Sequence, residues 1–460
     1  MTSTADTHAF SGRRTTALLL LAAALAAITY GSLPWDAAPR KGMALLVFIG
    51  CLWLTEALPL AVTALLVPLV ALLLGLPGLT TAQALAPFAD PIVVLFFGGF
   101  ALATALRTQQ LDRKMAQALM RLAGGHLGRT LGLLLLATAL LSLAISNTAT
   151  AAVMLPLALG LAGSLDPQKD RATLAFVLLS VAYTASLAGL GTVVASPPNA
   201  IAARAAGLDF VQWLWIGLPL VVVLVPLMVA VLWCVLRPEL NRPIEVAREE
   251  IAWTPARWRT LGVFAFAVAG WVFGAAPLKA MGIQSPDSVV ALAAAVAVVA
   301  LGVTSWREVV RHTDWGVLIL FGGGLALGEL LGSTGASLAL GQWVAGALSG
   351  QAVWLVLLVV AAFMVLLSEF ASNTAAAALL VPVFAAVAEP LGLPSTVLIV
   401  VVALAASCGF ALPVATPPNA LVFGTGLVGS RQMLRAGLAL DATCIAVVTA
   451  WGWLALRWLG

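Results

Sequence analysis

ISNTATAAVMLP at residues 145–156 and ASNTAAAALLVP at 371–382 interrupt long apolar stretches with the same polar tripeptide, Ser-Asn-Thr. Each copy is followed, some fifty residues on, by a second polar break: ASPPNAI at 195–201 and ATPPNAL at 415–421. The two tripeptides are 226 residues apart and the two Pro-Pro-Asn elements 220. A third landmark, FFGGFALATAL at 96–106, resembles FGGGLALGELL at 321–331. Three landmarks in one order at a nearly constant offset indicate two copies of one unit.

The chain around these breaks is membrane-grade. Of 460 residues, 62% are hydrophobic and 9% charged, and the mean hydropathy is +1.07. Soluble domains carry roughly 25% charged residues. Repeated apolar runs of about 20 residues, without barrel-type alternation, predict an all-α polytopic membrane protein. Spans are expected at about 15–33, 42–57, 60–76, 91–107, 172–206, 211–236, 259–278, 287–303, 315–331, 395–428 and 433–456. The run after Arg13 and Arg14 mimics a signal peptide but lacks a small-residue cleavage site, so it is read as a helix.

The stretches 130–164 and 351–389 each read as one bent span or as a re-entrant hairpin, and charge decides. With the N-terminus inside and both stretches as hairpins, Arg107, Arg113, Lys114, Arg121, Arg129, Lys169, Arg171 and the later loop arginines fall on one side. Arg40, Lys41, Lys279 and Arg457 alone fall outside. The positive-inside bias therefore favours eleven spans plus two hairpins, with the N-terminus inside and the C-terminus outside. Residues 1–41 form an N-terminal helix and loop, 42–236 a first repeat, 237–258 a solvated cytoplasmic linker and 259–460 a second repeat. The first repeat holds a hairpin at about 130–164 and a broken helix at about 172–206. The second holds a hairpin at about 351–389 and a broken helix at about 395–428. An odd number of crossings per unit inverts the second copy, so one hairpin opens from each face, as in many transporters. The segments 109–122 and 335–347 are amphipathic and are expected along the interface.

A helix ending in mid-membrane leaves carbonyls bare, and the next helix start leaves N–H groups bare. Ser, Asn and Thr cap such starts. The bare carbonyls also suit a hard cation, while the N–H groups and positive dipole end suit an anion. Pro-Pro removes two donors and stops the helix; a merely kinked helix is the bland reading, weakened by its recurrence with Asn in both halves. No Arg or Lys lies in any of the four elements, so bound cations must supply the positive charge an anion needs. Cation-coupled anion transport follows. Glu369, in LLSEFASNT, is an intramembrane ionisable group and a functional suspect, with helix capping as the alternative. Glu56 is expected in a tight structural break between two spans.

Other classes fit less well. Cys51, Cys234, Cys408 and Cys444 show no metal spacing, and His8, His126 and His312 lie in polar segments, so an intramembrane enzyme is disfavoured. A channel is disfavoured by the repeat and its mid-membrane breaks. The net charge of +4 reflects basic loops, and no nucleic-acid partner is expected.

LWLTEALPLAVTALLVP at 52–68, SLAGLGTVVASPPNAI at 186–201 and SEFASNTAAAALLVP at 368–382 resemble signatures of the divalent anion:sodium symporter family, in its INDY-type bacterial branch. The resemblance implies a homodimer in the bacterial cytoplasmic membrane, with a scaffold domain and an elevator-type transport domain. It implies sodium-driven import of succinate, malate or fumarate, with citrate, tartrate or sulfate, or sodium-independent exchange, as alternatives. Sodium ions are co-transported ligands, and no other cofactor is expected. One sodium would be held around Ser142, Ser146, Asn147 and Ala195, and a second around Ser368, Ala371, Asn373 and Ala415. Substrate carboxylates would meet Ser146, Asn147 and Thr148 on one tip and Ser372, Asn373 and Thr374 on the other. Ser196, Pro197, Thr416 and Pro417 would close the pocket. Ala195 and Ala188 stand where the family often has Gly, and Ser368 where Thr is frequent.

Overall fold

The computed structural model describes residues 12–457 except 77, 121, 123, 164, 245–250 and 349. Among these residues the regular structure is helical. The first half runs α1 (Gly12–Ser32), α2 (Ala37–Thr55), α3 (Leu60–Leu73), the short α4 (Thr81–Leu85), α5 (Pro91–Thr108) and α6 (Leu111–Met120). It continues with α7 (Leu127–Ser142), α8 (Asn147–Ala162), α9 (Arg171–Ala188), α10 (Pro197–Ala206) and the long α11 (Phe210–Leu236). The second half runs α12 (Pro255–Phe273), α13 (Ala275–Ala280), α14 (Pro286–Ala300), α15 (Trp306–His312), α16 (Trp315–Ser333) and α17 (Ala336–Leu348). Then come α18 (Val353–Phe370), α19 (Asn373–Ala388), α20 (Ser395–Ala406), α21 (Pro417–Phe423) and α22 (Ser430–Ala455).

Both polar elements break helices where the sequence places them. Ser-Asn-Thr separates α7 from α8 and α18 from α19, and Pro-Pro-Asn opens α10 and α21. Each expected span has a helix, yet among the described residues eight helices are both long and apolar enough to cross a membrane. One of these is α18, an arm of the second hairpin. Among the expected spans, α3 is 14 residues and α14 is 15, hence about 21–23 Å at 1.5 Å per residue. A hydrocarbon core is about 30 Å thick.

Packing interleaves the halves. α3 lies against α16 and α14 lies against α5, so each half lends a short helix to the other. The fit depends on glycine: a Cβ on Gly98 would come within 2.5 Å of the Ala291 carbonyl oxygen, and one on Gly323 within 2.5 Å of the Ala64 Cβ. In lipid, where helices gain little from hydrophobicity on meeting, such close approach drives association. α9 and α20, apolar around nearly their whole circumference, form the core; every residue from Thr173 to Ala188 and from Val397 to Ala406 is buried. α1 is the opposite, exposed almost throughout, with Ala22 as its buried point against α2.

The linker expected as a solvated connection is also anchored by backbone bonds. Residues 245–250 lie outside the described residues, but the flanking part is tied to the base of the first hairpin. Leu127 N–H and Gly128 N–H donate to the Arg242 and Leu240 carbonyls at 3.0 and 3.2 Å, and Ile244 N–H donates to Gly125 O at 2.8 Å. Arg242 pairs with Asp170 at 2.8 Å. The α7 start leaves N–H groups bare, and the linker's carbonyls answer them. The amphipathic segments also pack on the bundle, α6 against α7 and α17 against α19. Glu56 ends α2 in the left-handed region (φ 47°), its N–H closing onto Leu52 and Trp53, which fits a tight structural break.

Gly98→Val is expected to wedge α5 from α14 and destabilise the fold by at least ~1–3 kcal/mol. Thermal unfolding in detergent checks this, with Gly132→Ala, which has open space around its Cβ, as the neutral comparison.

Candidate functional site

In the first half the hairpin tip and the unwound segment lock together. The Ser142 hydroxyl donates to the Ala185 carbonyl at 2.6 Å and lies 3.2 Å from Asn147 Oδ1. Asn147 presses so closely on Gly189 that a Cβ there would sit 2.0 Å from Oδ1. Thr192 Oγ1 donates to Leu143 O at 2.7 Å. Ser146 caps α8, accepting from Ala149 N–H at 3.4 Å. The second half repeats the contact with other atoms: a Cβ on Gly409 would lie 2.9 Å from Ser368 Oγ. There Ser368 turns back on Val365 O at 2.9 Å, Ser372 makes no side-chain cap, and Asn373 Oδ1 is buried without a partner.

The asparagines of Pro-Pro-Asn hold the unwound backbone, a role that the motif reading passed over in favour of the Ser, Thr and Pro beside them. Asn199 Nδ2 donates to the Gly189 and Thr192 carbonyls, both at 2.8 Å. Asn419 Nδ2 donates to the Gly409 and Leu412 carbonyls at 3.4 and 3.0 Å. One amide thus replaces two of the donors that the ending helix and the prolines remove. The signal was present in the spacing, since both asparagines reach back ten and seven residues.

Outer helices press on the same breaks. A Cβ on Gly217 of α11 would lie 2.3 Å from Leu190 O, and one on Gly437 of α22 would lie 2.2 Å from Phe410 O. Trp213 Nε1 donates to Leu190 O at 3.1 Å, and the Tyr183 hydroxyl donates to Phe410 O at 2.8 Å.

Helix packing brings the halves together crosswise. α10 lies against α19 and α21 against α8, so each Pro-Pro-Asn start neighbours the other half's hairpin arm. Ser142, Ala195, Ser196, Ser368, Ala371, Ala415 and Thr416 are buried. Ser146, Asn147, Pro197, Ser372, Asn373 and Thr374 are half-buried, and Thr148 and Pro417 are exposed. The polar tips therefore border accessible space, while the backbone near Ala195 and Ala415 lies behind them.

The halves differ in charge. Position 143 is Leu, and its equivalent is Glu369, buried, whose two carboxylate oxygens accept from Ala411 and Leu412 N–H at 2.9 and 2.8 Å. Asp441 of α22 accepts from Phe410 N–H at 3.0 Å. Three consecutive N–H groups of the second unwound segment are thus held by two carboxyl groups, and capping is a role Glu369 fills. Arg204 on α10 pairs with Asp90, the N-cap of α5, at 2.8 Å.

Glu369→Leu, which installs the residue found at position 143, leaves the buried Ala411 and half-buried Leu412 N–H groups without acceptors. The expected cost is roughly 2–6 kcal/mol, read as a lowered unfolding midpoint, with Glu369→Gln losing less because it keeps one acceptor.

The chain's relatives bear on what such a site serves. The family model described as citrate transporter (CitMHS) matches residues 50–392 and 348–459. An uncharacterized transporter of Haemophilus influenzae is 47% identical over 430 residues, covering 92% of this chain and 93% of that one. The sodium-dependent dicarboxylate transporter SdcS of Staphylococcus saprophyticus is 30% identical over 443 residues, covering 88% and 84%. The crystal structure of the Alcanivorax borkumensis YdaH transporter aligns over 96% of this chain and 98% of that one, with a TM-score of 0.58 and 17% identity, a likeness of fold. This chain, helical and multi-pass with paired broken helices, belongs to the CitMHS citrate transporter family of the divalent anion:sodium symporter and ion-transporter superfamily.

Proposed function

We propose that the protein is a sodium-driven symporter of C4-dicarboxylates such as succinate, malate or fumarate. The observation that carries this reading is the arrangement of two half-helix starts, at Asn147 and Asn373, beside two unwound segments, with no basic side chain in any of the four elements. Helix N-termini and hydroxyls suit a dianion, and carbonyls released at helix ends suit sodium. The SdcS relatives support the pairing of sodium with a dicarboxylate. The family description makes citrate the second candidate substrate.

In this reading sodium binds first, around Ser142, Ser146, Asn147 and the Ala195 backbone, and around Ser368, Ala371, Asn373 and the Ala415 backbone. The bound cations complete the charge that the tips lack. The dianion then binds between Ser146, Asn147 and Thr148 on one side and Ser372, Asn373 and Thr374 on the other, with Ser196, Pro197, Thr416 and Pro417 lining the pocket. Because cation and anion share Asn147 and Asn373, each raises the other's affinity. The two repeats are inverted, the protein is a homodimer in the cytoplasmic membrane with its N-terminus inside and C-terminus outside, and the hairpins and broken helices move as an elevator. Packing of α9, α10, α11, α20 and α22 into one group supports a common moving body.

Uptake of succinate into proteoliposomes with an inward sodium gradient, against the same vesicles in choline, tests the reading. Accumulation above equilibrium in sodium alone is expected; equal uptake in choline, requiring internal dicarboxylate, would replace symport by exchange. Asn147→Ala and Asn373→Ala are each expected to reduce sodium dependence and dianion affinity together, by tenfold or more (about 1.4 kcal/mol). Uptake unaltered in both variants would remove these residues from the site.

A further inference from the structure

The second unwound segment is held by acids. Phe410 N–H donates to Asp441 Oδ1 at 3.0 Å, Ala411 N–H to Glu369 Oε1 at 2.9 Å and Leu412 N–H to Glu369 Oε2 at 2.8 Å. Successive backbone nitrogens thus draw one carboxyl from α22 and one from α18 to the same place. Both side chains are buried, and the two carboxyl groups are in hydrogen-bonding contact with each other.

That contact requires a proton. A carboxylate only accepts hydrogen bonds, so two carboxyl groups bond to each other only while one of them stays protonated. No base stands near to take the proton: among the described residues no Lys, Arg or His is within ion-pair distance of either carboxyl. Arg435, on α22 itself, is six residues short of Asp441, about 9 Å along the helix. The titratable groups that face the pair are Tyr183 of α9, Cys408 just after α20 and Cys444 of α22, none of them cationic. Two unpaired charges buried side by side are the unfavourable alternative.

The repeat shows that the architecture forms without this pair. At the offsets of the two motifs, Leu143 stands for Glu369 and Val221 for Asp441. The pair is tied instead to the second of the sodium positions. Ser368 adjoins Glu369, and its Oγ lies against Gly409, the residue before Phe410. Leu412, held through its N–H by Glu369, accepts from Ala415 N–H at 3.2 Å.

We propose that Glu369 and Asp441 form a proton-binding site that sets the sodium affinity of the second half, an inference that rests on the sodium-symport reading. With the proton in place the acids hold residues 410–412 and, through Leu412, Ala415. Without it two adjacent carboxylates repel, and their parting withdraws acceptors from that backbone. The sodium concentration giving half-maximal succinate uptake, measured with equal pH on both sides of the vesicle, tests this. It is expected to rise by about threefold or more between about pH 7 and about pH 9.5 in the parent, a range in which succinate is a dianion throughout. It should stay level in Asp441→Asn, whose amide keeps the acceptor for Phe410 N–H and donates to Glu369 in the proton's place. Tyr183→Phe, which removes the other hydroxyl that alkali can ionise on this segment, should keep the parent's pH dependence. Glu369→Gln is the second variant should Asp441→Asn fail to fold. A half-saturation that does not rise in the parent, or rises equally in Asp441→Asn, overturns the proposal and leaves symport standing. If choline supports uptake as well as sodium, symport itself fails, and infrared difference spectra test the shared proton without transport. Parent minus Asp441→Asn and parent minus Glu369→Gln should each show a carboxylic-acid carbonyl band at neutral pH; its absence from both overturns the pair.

Discussion

Backbone polar groups inside hydrocarbon must find partners, and this chain opens its backbone at four places in its apolar core. Everything around those places follows from that constraint. Each unwound segment is closed by an amide from the asparagine that follows its prolines, Asn199 or Asn419. What remains is answered differently in the two halves. The first uses hydroxyl and indole donors, Thr192 onto Leu143 O and Trp213 onto Leu190 O. The second uses carboxyl acceptors, Glu369 and Asp441, for three successive N–H groups, with Tyr183 donating to Phe410 O. One architecture is thus held open by two chemistries, and the two halves are chemically inequivalent.

Glycine makes the arrangement dense enough to work. Gly189 admits the Asn147 amide, Gly409 admits Ser368, and Gly217 and Gly437 let α11 and α22 reach the carbonyls of residues 190 and 410. These pairs recur at the offset of the Pro-Pro-Asn elements, so the repeat extends from motif to packing. A broken helix walled in this way is stiff.

Much of this was legible in the sequence. The four breaks, their order and the residues at the tips followed from Ser-Asn-Thr and Pro-Pro-Asn, because few residue types interrupt a membrane helix without penalty. Helix lengths were less legible: hydropathy finds apolar runs but not where α3 ends at Leu73, short of a full span. The linker's bond to the first hairpin was not readable, since Leu240, Arg242 and Ile244 act through backbone atoms that carry no residue signature. Asn199 and Asn419 were visible as motif letters, but their task depends on distances that only the fold creates.

In the proposed function the two halves grip one anion between them. A double-mutant cycle on dianion affinity, with Asn147→Ala, Asn373→Ala and the pair measured at saturating sodium, tests it most directly. One shared anion predicts a coupling of about 0.5–3 kcal/mol between the two positions. Effects that simply add would contradict a shared site and mean that the two tips bind separate ligands.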